Sequence, residues 1–342
     1  ARDLFVEYGL DKSETGVRTK RLLDGAVDVL AQRGRDQELA PDIVEAGLWS
    51  LGFGVDPKTR RTQYLLYVGR RAIDLLAGYC DTNWDKLHKA VLDNRKAEEK
   101  KRSKSDTATE EKTKKVKPNK ETLAEARRIL DGGKVADIAM FGRMIADNKD
   151  FNVDAASQVA HAISTHAVVN EFDYYTAVDD LKPDDESGAD MIGTVDFNAA
   201  CYYRYANLDL DQLATNLDGD ADLAARAARA WLYAFVHAVP SGKQNGMAAR
   251  TKPETLLGVT RTRGAWNLAN AFLTPVTGQN PMLSSTEKLL THFGQLRSFY
   301  GSGDITSATA ASVTGQLSTF DAGDVASTLD DFAARVLAAT GA

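Results

Sequence analysis

A charged segment from Glu98 to Pro118 constrains what this 342-residue chain can fold into more than any other feature. The segment is polar throughout and has no apolar face that could pack against a core. Such residues cannot offset the conformational entropy lost on ordering, so they predict a mobile basic loop over residues 98–118. The loop separates a region with helical periodicity from a region in which strand and helix patterns alternate.

The region before the charged segment has the apolar spacing of helices. Thr19 to Gln32 and Tyr64 to Tyr79 both place apolar residues at intervals of three and four, which predicts two helices. A third, shorter helix is predicted directly after the charged segment, from Glu121 to Leu130. Residues 1–133 are therefore predicted to be mainly helical.

The region after residue 133 predicts six elements in the order β-α-β-β-α-β: Val135–Phe141, Asp154–Ala167, Phe172–Val178, Ala199–Ala206, Ala221–Val239 and Leu256–Arg261. This order is the ferredoxin-like arrangement, which RNA-recognition domains share. The sequence thus predicts an α+β fold with a second domain over residues 134–342. The link from Asp179 to Asp196 is long for a hairpin, and links of that length are usually functional or disordered.

The charge of the chain is unevenly distributed. The net charge is −6 at pH 7, which by itself argues against a protein that binds phosphates through Lys and Arg. Residues 95–120, however, contain eleven basic and five acidic residues. An acidic chain can therefore still present a basic face.

Cysteine usage and hydropathy bear on the compartment. Cys80 and Cys201 lie far apart, which argues against a disulfide framework and is typical of a reducing cytoplasm. The longest apolar run, near Ala230 to Val239, is shorter than the ~20 residues that span a bilayer. We therefore expect a cytoplasmic protein with no membrane partner.

Five motifs occur in a fixed order and spacing between Met140 and Gln244: Met-Phe-Gly-Arg-Met from Met140, Val-Ala-His-Ala-Ile-Ser-Thr-His from Val159, Asp-Tyr-Tyr-Thr-Ala-Val-Asp-Asp-Leu from Asp173, Tyr-Arg-Tyr-Ala-Asn-Leu from Tyr203, and Val-Pro-Ser-Gly-Lys-Gln from Val239. As a set they resemble the CasC family, the backbone subunits of the type I-E CRISPR complex Cascade. The resemblance is close from about Asp137 to Ala249 and loose on either side.

The resemblance implies a hand-like architecture and a binding function. It implies a modified ferredoxin-like RNA-recognition palm, helical fingers inserted within residues 1–133, and a thumb loop over residues 179–196 that reaches the neighbouring copy. It implies a non-catalytic subunit that binds CRISPR RNA, oligomerises along the guide and presents it to target DNA in antiviral defence. Other Cascade subunits are implied as further partners, and no cofactor is expected.

The start of the sequence departs from the family pattern. Family members carry a strand and a Ser-Ser-Gln…Lys-Arg helix ahead of the position that corresponds to Ala1. In the family that segment supplies a palm strand and phosphate contacts. We therefore expect the palm strand order read from this sequence to be incomplete.

The resemblance assigns RNA contacts to the Gly-Arg-Met motif. Met144 corresponds to a family methionine that wedges beside the bases, and a flexible apolar side chain can fill such a gap without reading sequence. The alternative is that Met144 is a core residue at a strand end. Arg143 is a candidate phosphate contact, and the alternative is a surface salt bridge.

The aromatic pair at the base of the implied thumb is the second group of candidates. Tyr174 and Tyr175 match this pair, and aromatic rings stack on any base without demanding a sequence. Neighbouring residues of a strand point to opposite faces, so one of the two tyrosines is a candidate for the core instead. Thr176 and Val178 are weaker candidates beside them. Ile192 matches an apolar residue at the thumb tip, where the alternative is contact with the next subunit.

Lysines outside the palm strands complete the predicted contacts. Lys243 and Gln244 lie in a turn after a helix, where Lys243 is either a phosphate contact or a solvated loop residue. Lys115, Lys117 and Lys120 are the candidates for finger contacts with nucleic acid. A solvated charge run is the expectation for most of the other charges in this stretch.

Two other classes of function compete with this hypothesis. The first alternative is a metal-dependent ribonuclease related to type III backbone subunits, with Asp179 and Asp180 holding a divalent ion. A carboxylate pair that ends a strand commonly closes a turn, however. His161 and His166 are five residues apart, which on a helix is poor geometry for one metal. The second alternative is a purely structural oligomer; for the favoured hypothesis we expect neither catalytic residues nor a metal.

Overall fold

The computed structural model describes residues 2–102, 120–131, 135–145, 149–177 and 191–340. Their elements form an α+β protein, which confirms the predicted fold class. The chain divides into two compact units, the first comprising residues 1–158 with 208–238 and the second residues 159–207 with 239–342. The predicted division at residue 133 into fingers and palm stays a prediction.

The first part of the chain is mainly helical. Its elements are β1 (Gly16–Thr19), α1 (Leu22–Gln32), α2 (Ala40–Ser50), β2 (Leu66–Gly69), α3 (Ala72–Thr82), α4 (Trp84–Arg102), α5 (Lys120–Asp131) and α6 (Ala136–Phe141), with 3-10 turns at Arg2–Leu4, Lys12–Glu14 and Lys149–Phe151.

The remaining elements mix short strands with helices. They are β3 (Ser157–Val159), β4 (Ile163–Ser164), β5 (Glu171–Ala177), β6 (Met191–Phe197), β7 (Tyr202–Tyr203), β8 (Ala206–Leu208), α7 (Leu210–Asn216), α8 (Ala221–His237), α9 (Gln244–Met247), β9 (Thr255–Arg261), a 3-10 helix (Leu268–Phe272), α10 (Pro281–Tyr300), β10 (Ile305–Ser312), β11 (Asp324–Ala326) and α11 (Leu329–Ala338).

The core of the first unit forms where amphipathic helices meet the β1–β2 ribbon. Helix α1 buries Leu22, Ala26 and Leu30, which recur every four residues on one helical face. They join one apolar cluster with Leu76 of α3 and Ile129 of α5. Strands β1 and β2 pair antiparallel beside this cluster. Burial of these aliphatic side chains, about 1.5–3 kcal/mol each, is the main source of stability of this unit.

The second unit is built on a three-stranded sheet with the order β11-β10-β9. Ala308 and Ala310 of β10 pack with Leu290 and Phe293 of α10 on one face. On the other face α11 lies so close to β9 that a Cβ at Gly258 would meet side chains of that helix. The sheet is therefore covered by one helix on each face.

Three predicted elements are wrong. Tyr64 to Tyr79 contains strand β2 followed by the start of α3, and not one helix. Val135 to Phe141 contains helix α6, and not a strand. Asp154 to Ala167 contains the short strands β3 and β4, and not a helix. The described chain therefore does not follow the first half of the predicted β-α-β-β-α-β order.

Other predicted elements are confirmed within a few residues. Helices α1, α5 and α8 and strands β5 and β9 lie where the periodicity places them. The strand predicted from Ala199 to Ala206 is split into β7 and β8. Residues 98–102, predicted to begin the charged loop, belong instead to helix α4, which continues to Arg102; residues 103–119 lie outside the described residues. Within the described ranges, no helix is both long and apolar enough to cross a membrane.

Candidate nucleic-acid interface

Strands β5 and β6 form an antiparallel hairpin that exposes side chains on both faces. Glu171 lies opposite Phe197 and Ala177 lies opposite Met191, with the residues between them paired one to one. Every residue of β5 and most residues of β6 are exposed. A two-stranded hairpin is marginally stable by itself in water, so a partner that covers either face would stabilise it. Of the predicted thumb loop, residues 179–190 lie outside the described part of the chain, and residues 191–196 belong to strand β6.

One face of the hairpin is an apolar strip centred on Tyr174. Because strand side chains alternate, Tyr174 shares this face with Phe172 and Thr176, and Ile192 lies directly opposite Thr176. Tyr174 is 74% exposed and Ile192 is 70% exposed. Ile192 therefore lies within the paired strands beside the stacking candidates, although the sequence places it at the thumb tip.

The opposite face of the hairpin carries Tyr175. Its ring lies over Gly193, where a Cβ would stand 2.5 Å from the ring atoms, so any other residue would displace the ring. An aromatic ring that covers a strand glycine in this way stabilises the pairing register. Tyr175 remains 47% exposed. The structure therefore puts both tyrosines at the surface, and the alternative that one of them is a core residue is wrong.

Met144 points into solvent from a fixed segment of backbone. Gly142 ends α6 with φ +73°, and a Cβ there would stand 2.7 Å from the carbonyl oxygen of Val153. Arg143 and Val153 then exchange two backbone hydrogen bonds of 2.9 Å. Met144, the next residue, is 85% exposed. The alternative that Met144 is a core residue is therefore wrong.

Arg143 is buried beneath this segment. Its Nε donates to the carbonyl oxygen of Phe151 at 2.9 Å, and its NH2 forms an ion pair with Asp131 at 2.8 Å. Only 3% of the Arg143 side chain is exposed. The guanidinium therefore forms a salt bridge, which was the alternative to the predicted phosphate contact. It supports the backbone under Met144 and does not face a phosphate.

Lys243 lies in a strained surface loop. Both Lys243, with φ +56°, and Ala248, with φ +46°, adopt the left-handed conformation at the two ends of α9. This conformation is costly for residues other than glycine and persists only where the surroundings impose it. Gln244 Nε2 donates to the carbonyl oxygen of Pro240 at 2.7 Å, which closes the loop. Lys243 is exposed and available to a phosphate, whereas Gln244 serves the loop itself.

The remaining predicted contacts are described only in part. Lys120 is exposed at the first position of α5. Lys115, Lys117 and Val178 lie outside the described residues. Their roles stay predictions.

A set of basic residues around strands β1 and β2, which we call the basic ribbon, was missed in the sequence. Its members are Lys12, Arg18, Lys20, Arg21, Arg70 and Arg71. The signal was visible as Arg-Thr-Lys-Arg from Arg18 and as Arg70-Arg71. The two clusters are about fifty residues apart, and only the pairing of β1 with β2 brings them together.

The ribbon is tied to the segment that carries Met144. The guanidinium of Arg18 lies 4.9 Å from the ring centre of Tyr67, and Arg2 lies 5.3 Å from the same ring. Burial and the neighbouring Asp137 raise the pKa of Tyr67, so the phenol stays protonated under both cations. Arg143 NH1 donates to the carbonyl oxygen of Tyr67 at 3.5 Å.

The ends of the ribbon are separated by a distance that suits an extended chain of phosphates. Since Gly16 pairs with Gly69, Arg70 and Arg71 lie at one end and Lys20 lies at the other. At the rise of a strand, these ends are ~17 Å apart. The ribbon can therefore contact more than one phosphate of a bound strand.

The candidate metal ligands are described only in part. The described ranges contain no group of three His, Cys, Asp or Glu side chains that could hold a metal ion. His166 accepts a hydrogen bond at Nε2 from the backbone N–H of Cys201 at 3.0 Å, and its Nδ1 lies 2.8 Å from the carbonyl oxygen of Ala167. Both ring nitrogens thus stabilise the local fold. Asp179 and Asp180 lie outside the described residues.

The fold resembles that of chains in two solved assemblies. A chain described as "CRISPR RNA-guided surveillance complex, pre-nicking" matches with a TM-score of 0.77 and 27% identity, over 99% of this chain and 88% of that chain. A chain described as "CRISPR RNA-guided surveillance complex" matches with a TM-score of 0.55 and 32% identity, over 60% of this chain and 78% of that chain. The likeness to these chains assigns the protein to a class, the Cascade-type Cas proteins.

The family follows from the sequence as a whole. The model of the CT1975-like protein family matches residues 1–335, and the chain belongs to that family. A comparison with curated proteins finds no match.

Proposed function

We propose that the chain is a non-catalytic backbone subunit of a type I-E Cascade complex and binds CRISPR RNA. Copies assemble along the guide in the cytoplasm, together with other Cascade subunits, and hold the guide so that its bases can pair with target DNA in antiviral defence. Membership of the CT1975-like family and likeness to chains of CRISPR RNA-guided surveillance complexes support this proposal.

The observation that carries the proposal is the hairpin with two exposed faces. Tyr174 and Ile192 lie on one face, and Tyr175 and Met191 lie on the other, each of them between 47% and 74% exposed. One flat partner can cover only one face of a hairpin. RNA on one face and a neighbouring copy of the chain on the other would remove both apolar surfaces from water.

Charge decides which face takes the RNA. The Tyr175 face carries two carboxylates of β5, Glu171 and Asp173, whereas the Tyr174 face carries only Asp196 among the described residues. Carboxylates repel phosphates, so we assign the RNA bases to Tyr174 and the neighbouring copy to Tyr175. Stacking on Tyr174 gives affinity that is largely independent of guide sequence.

The basic ribbon reconciles RNA binding with an acidic chain. Its six cations, with Lys243, Lys120, Lys115 and Lys117, supply phosphate contacts in spite of a net charge of −6. Met144 provides the apolar wedge beside the bases. Because each copy adds its own contacts, affinity for a long guide grows with the number of copies bound.

The implied anatomy of a hand is part of the proposal. Residues 1–133 are the finger region and residues 134–342 the ferredoxin-like palm. Residues 179–196, which include most of strand β6, are the thumb.

Replacement of the stacking groups tests the RNA assignment. The variant with Met144→Ala, Tyr174→Ala and Tyr175→Ala should lose about tenfold or more in RNA affinity through the Tyr174 ring, since base–aromatic stacking contributes ~1–3 kcal/mol, and should self-associate more weakly through loss of Tyr175. The matched control replaces Leu273, Val313 and Val325 by Ala, three apolar residues of the unit that carries the two tyrosines, each at least 54% exposed. Unchanged assembly of the first variant on guide RNA would overturn the stacking assignment.

The non-catalytic role is tested against the ribonuclease alternative. The chain assembled with guide is incubated with matched RNA and Mg²⁺ or Mn²⁺, and the RNA should remain intact. Cleavage that disappears in Asp179→Ala would establish the nuclease instead. Self-assembly without RNA, and no effect of salt on RNA binding, would favour a purely structural oligomer.

A further inference from the structure

We propose that a second surface of the chain binds unpaired nucleotides of a single-stranded nucleic acid. This surface, which we call the aromatic corner, consists of Trp266, Phe299 and Tyr300 with Arg261 and Arg263. It lies where α10 ends and where the chain leaves β9, and it shares no residue with the hairpin or the basic ribbon.

Two aromatic rings stand in solvent at the end of α10. Gly301, with φ +83°, ends the helix directly after them. Phe299 is 81% exposed and Tyr300 is 69% exposed, and their ring centres are 4.8 Å apart with the planes at 84°. The pair forms an L-shaped notch in which a flat base can stack on one ring and meet the edge of the other.

Tyr300 is connected to the core through Trp266. Tyr300 lies 6.3 Å from Trp266, and Trp266 lies 6.3 Å from the buried ring of Phe293. The guanidinium of Arg261 lies 4.0 Å above the Trp266 ring. Tyr300 is thus supported on one side before any ligand arrives, which lowers the entropy cost of binding, and Phe299 contacts Tyr300 alone among these rings.

The corner carries excess positive charge. Arg261 and Arg263 share one carboxylate, that of Asp304, at 4.0 Å and 3.2 Å. Nε and NH1 of Arg261 have no hydrogen-bond partner among the described residues. The Arg263 side chain is 83% exposed. Asp304 therefore neutralises only one of the two arginine charges. The remaining positive charge beside the exposed rings is complementary to a phosphate next to a stacked base.

The surroundings of the rings favour nucleotides over a protein partner. The neighbours Ser298, Gly301, Ser302 and Gly303 are all exposed and provide no apolar rim. Stable protein interfaces bury roughly 800 Å² on each partner around an apolar centre. Two rings bordered by serine and glycine match the area of one or two bases.

Photo-crosslinking tests the corner directly. The full chain is irradiated with single-stranded RNA that carries 5-iodouridine, and in parallel with single-stranded DNA that carries 5-iododeoxyuridine, and the cross-linked peptides are mapped by mass spectrometry. We expect cross-links at Phe299 or Tyr300; the arm that gives them identifies RNA or DNA as the ligand.

Variants separate the corner from the hairpin. Phe299→Ala with Tyr300→Ala should remove these cross-links and weaken binding about tenfold for each base that loses its ring, while cross-links to β5 remain. Leu273→Ala, at an apolar residue that is 79% exposed, is the matched control and should change neither. The two rings that are replaced are both exposed, so thermal unfolding of the double variant should match that of the wild type.

Three results would overturn the proposal. Cross-links at β5 without any at Phe299 or Tyr300, in either arm, would reject the corner and leave the proposed function intact. Unchanged oligonucleotide affinity of the double variant, with reduced self-association in sedimentation, would make the corner a protein interface. Absence of cross-links at both surfaces would reject the proposed function as well.

Discussion

Single glycines position the two most informative side chains of the candidate interface. Gly193 leaves room for the ring of Tyr175, and Gly142 allows the close approach to Val153 that directs Met144 outward. Neither role can be predicted from the residue type alone. The space next to each glycine is occupied by a residue distant in sequence, Tyr175 for Gly193 and Val153 for Gly142.

Substitution of Gly142 should therefore be costly. Gly142→Ala combines an unfavourable positive φ with a Cβ 2.7 Å from a carbonyl oxygen, so we expect a loss of about 1–3 kcal/mol in the free energy of unfolding. Urea denaturation measures this loss. Gly264→Ala is the control, because Gly264 has φ +67° but open space around its Cβ. Equal losses in the two variants would show that the contact with Val153 contributes nothing.

At the scale of elements, the periodicity of the sequence predicted those helices and strands that depend on contacts between residues close in the chain. Helix α8 repeats Leu223, Ala227 and Ala234 on a buried face, and Asp220 accepts a hydrogen bond from the N–H of Leu223 as its N-cap. Its observed span, Ala221–His237, differs from the prediction by two residues at one end. Strand β9 is equally close to its prediction.

The wrong elements are those that depend on distant partners. Strand β4 exists because Ile163 and Ser164 pair with Tyr203 and Tyr202, some forty residues later. The helical spacing of apolar residues from Val159 to Ala167 is coincidental. Short buried runs such as β2 and α6 are ambiguous, since periodicity cannot separate a buried strand from a buried helix.

An ion pair between elements makes stability depend on pH. Glu14, in the turn Lys12–Glu14, accepts hydrogen bonds from Arg226 of α8 at 2.6 Å and 2.9 Å. The hydrogen bond from Arg226 is the largest cause that holds the pKa of Glu14 below its ordinary value of 4.5. A carboxyl whose pKa is lower in the folded state stabilises the fold above the ordinary value and loses that contribution as pH falls.

Glu14→Gln should consequently flatten the acid side of the stability profile. Melting temperatures measured from neutral pH to about pH 3 should fall less steeply in this variant than in the wild type, since the linked proton is removed. Glu38→Gln, at an exposed glutamate of another turn, is the control and should follow the wild type. Parallel profiles for Glu14→Gln and wild type would contradict this account of the pair.

At the scale of the whole molecule, the sequence identified part of the candidate interface, and another part is visible only in the structure. Contiguous motifs identified Met144, Tyr174 and Tyr175 as candidate contacts. All three side chains are exposed, as their predicted roles require. The basic ribbon was missed because it exists only through the pairing of β1 and β2. Arg143 was misassigned because its type suggested a phosphate contact, whereas burial decides its role.

Salt dependence tests the basic ribbon. The variant with Lys20→Gln, Arg21→Gln and Arg71→Gln should bind single-stranded RNA more weakly, and the slope of log affinity against log salt should fall by about 0.7 for each lost phosphate contact. RNA titrations at several KCl concentrations measure both. The control replaces Lys58, Lys86 and Lys89, three exposed lysines elsewhere in the same unit, by Gln. Equal slopes for the two variants would show that the basic ribbon does not contact the phosphates of the RNA.

The central claim is that copies of this chain assemble along single-stranded RNA. The most direct measurement is the mass of the complexes formed on RNAs of increasing length and unrelated sequence, by mass photometry or analytical ultracentrifugation. The predicted result is a number of bound copies that rises in regular steps with RNA length, whatever the base sequence. A single copy at every length, or assemblies of the same size with and without RNA, would contradict the claim.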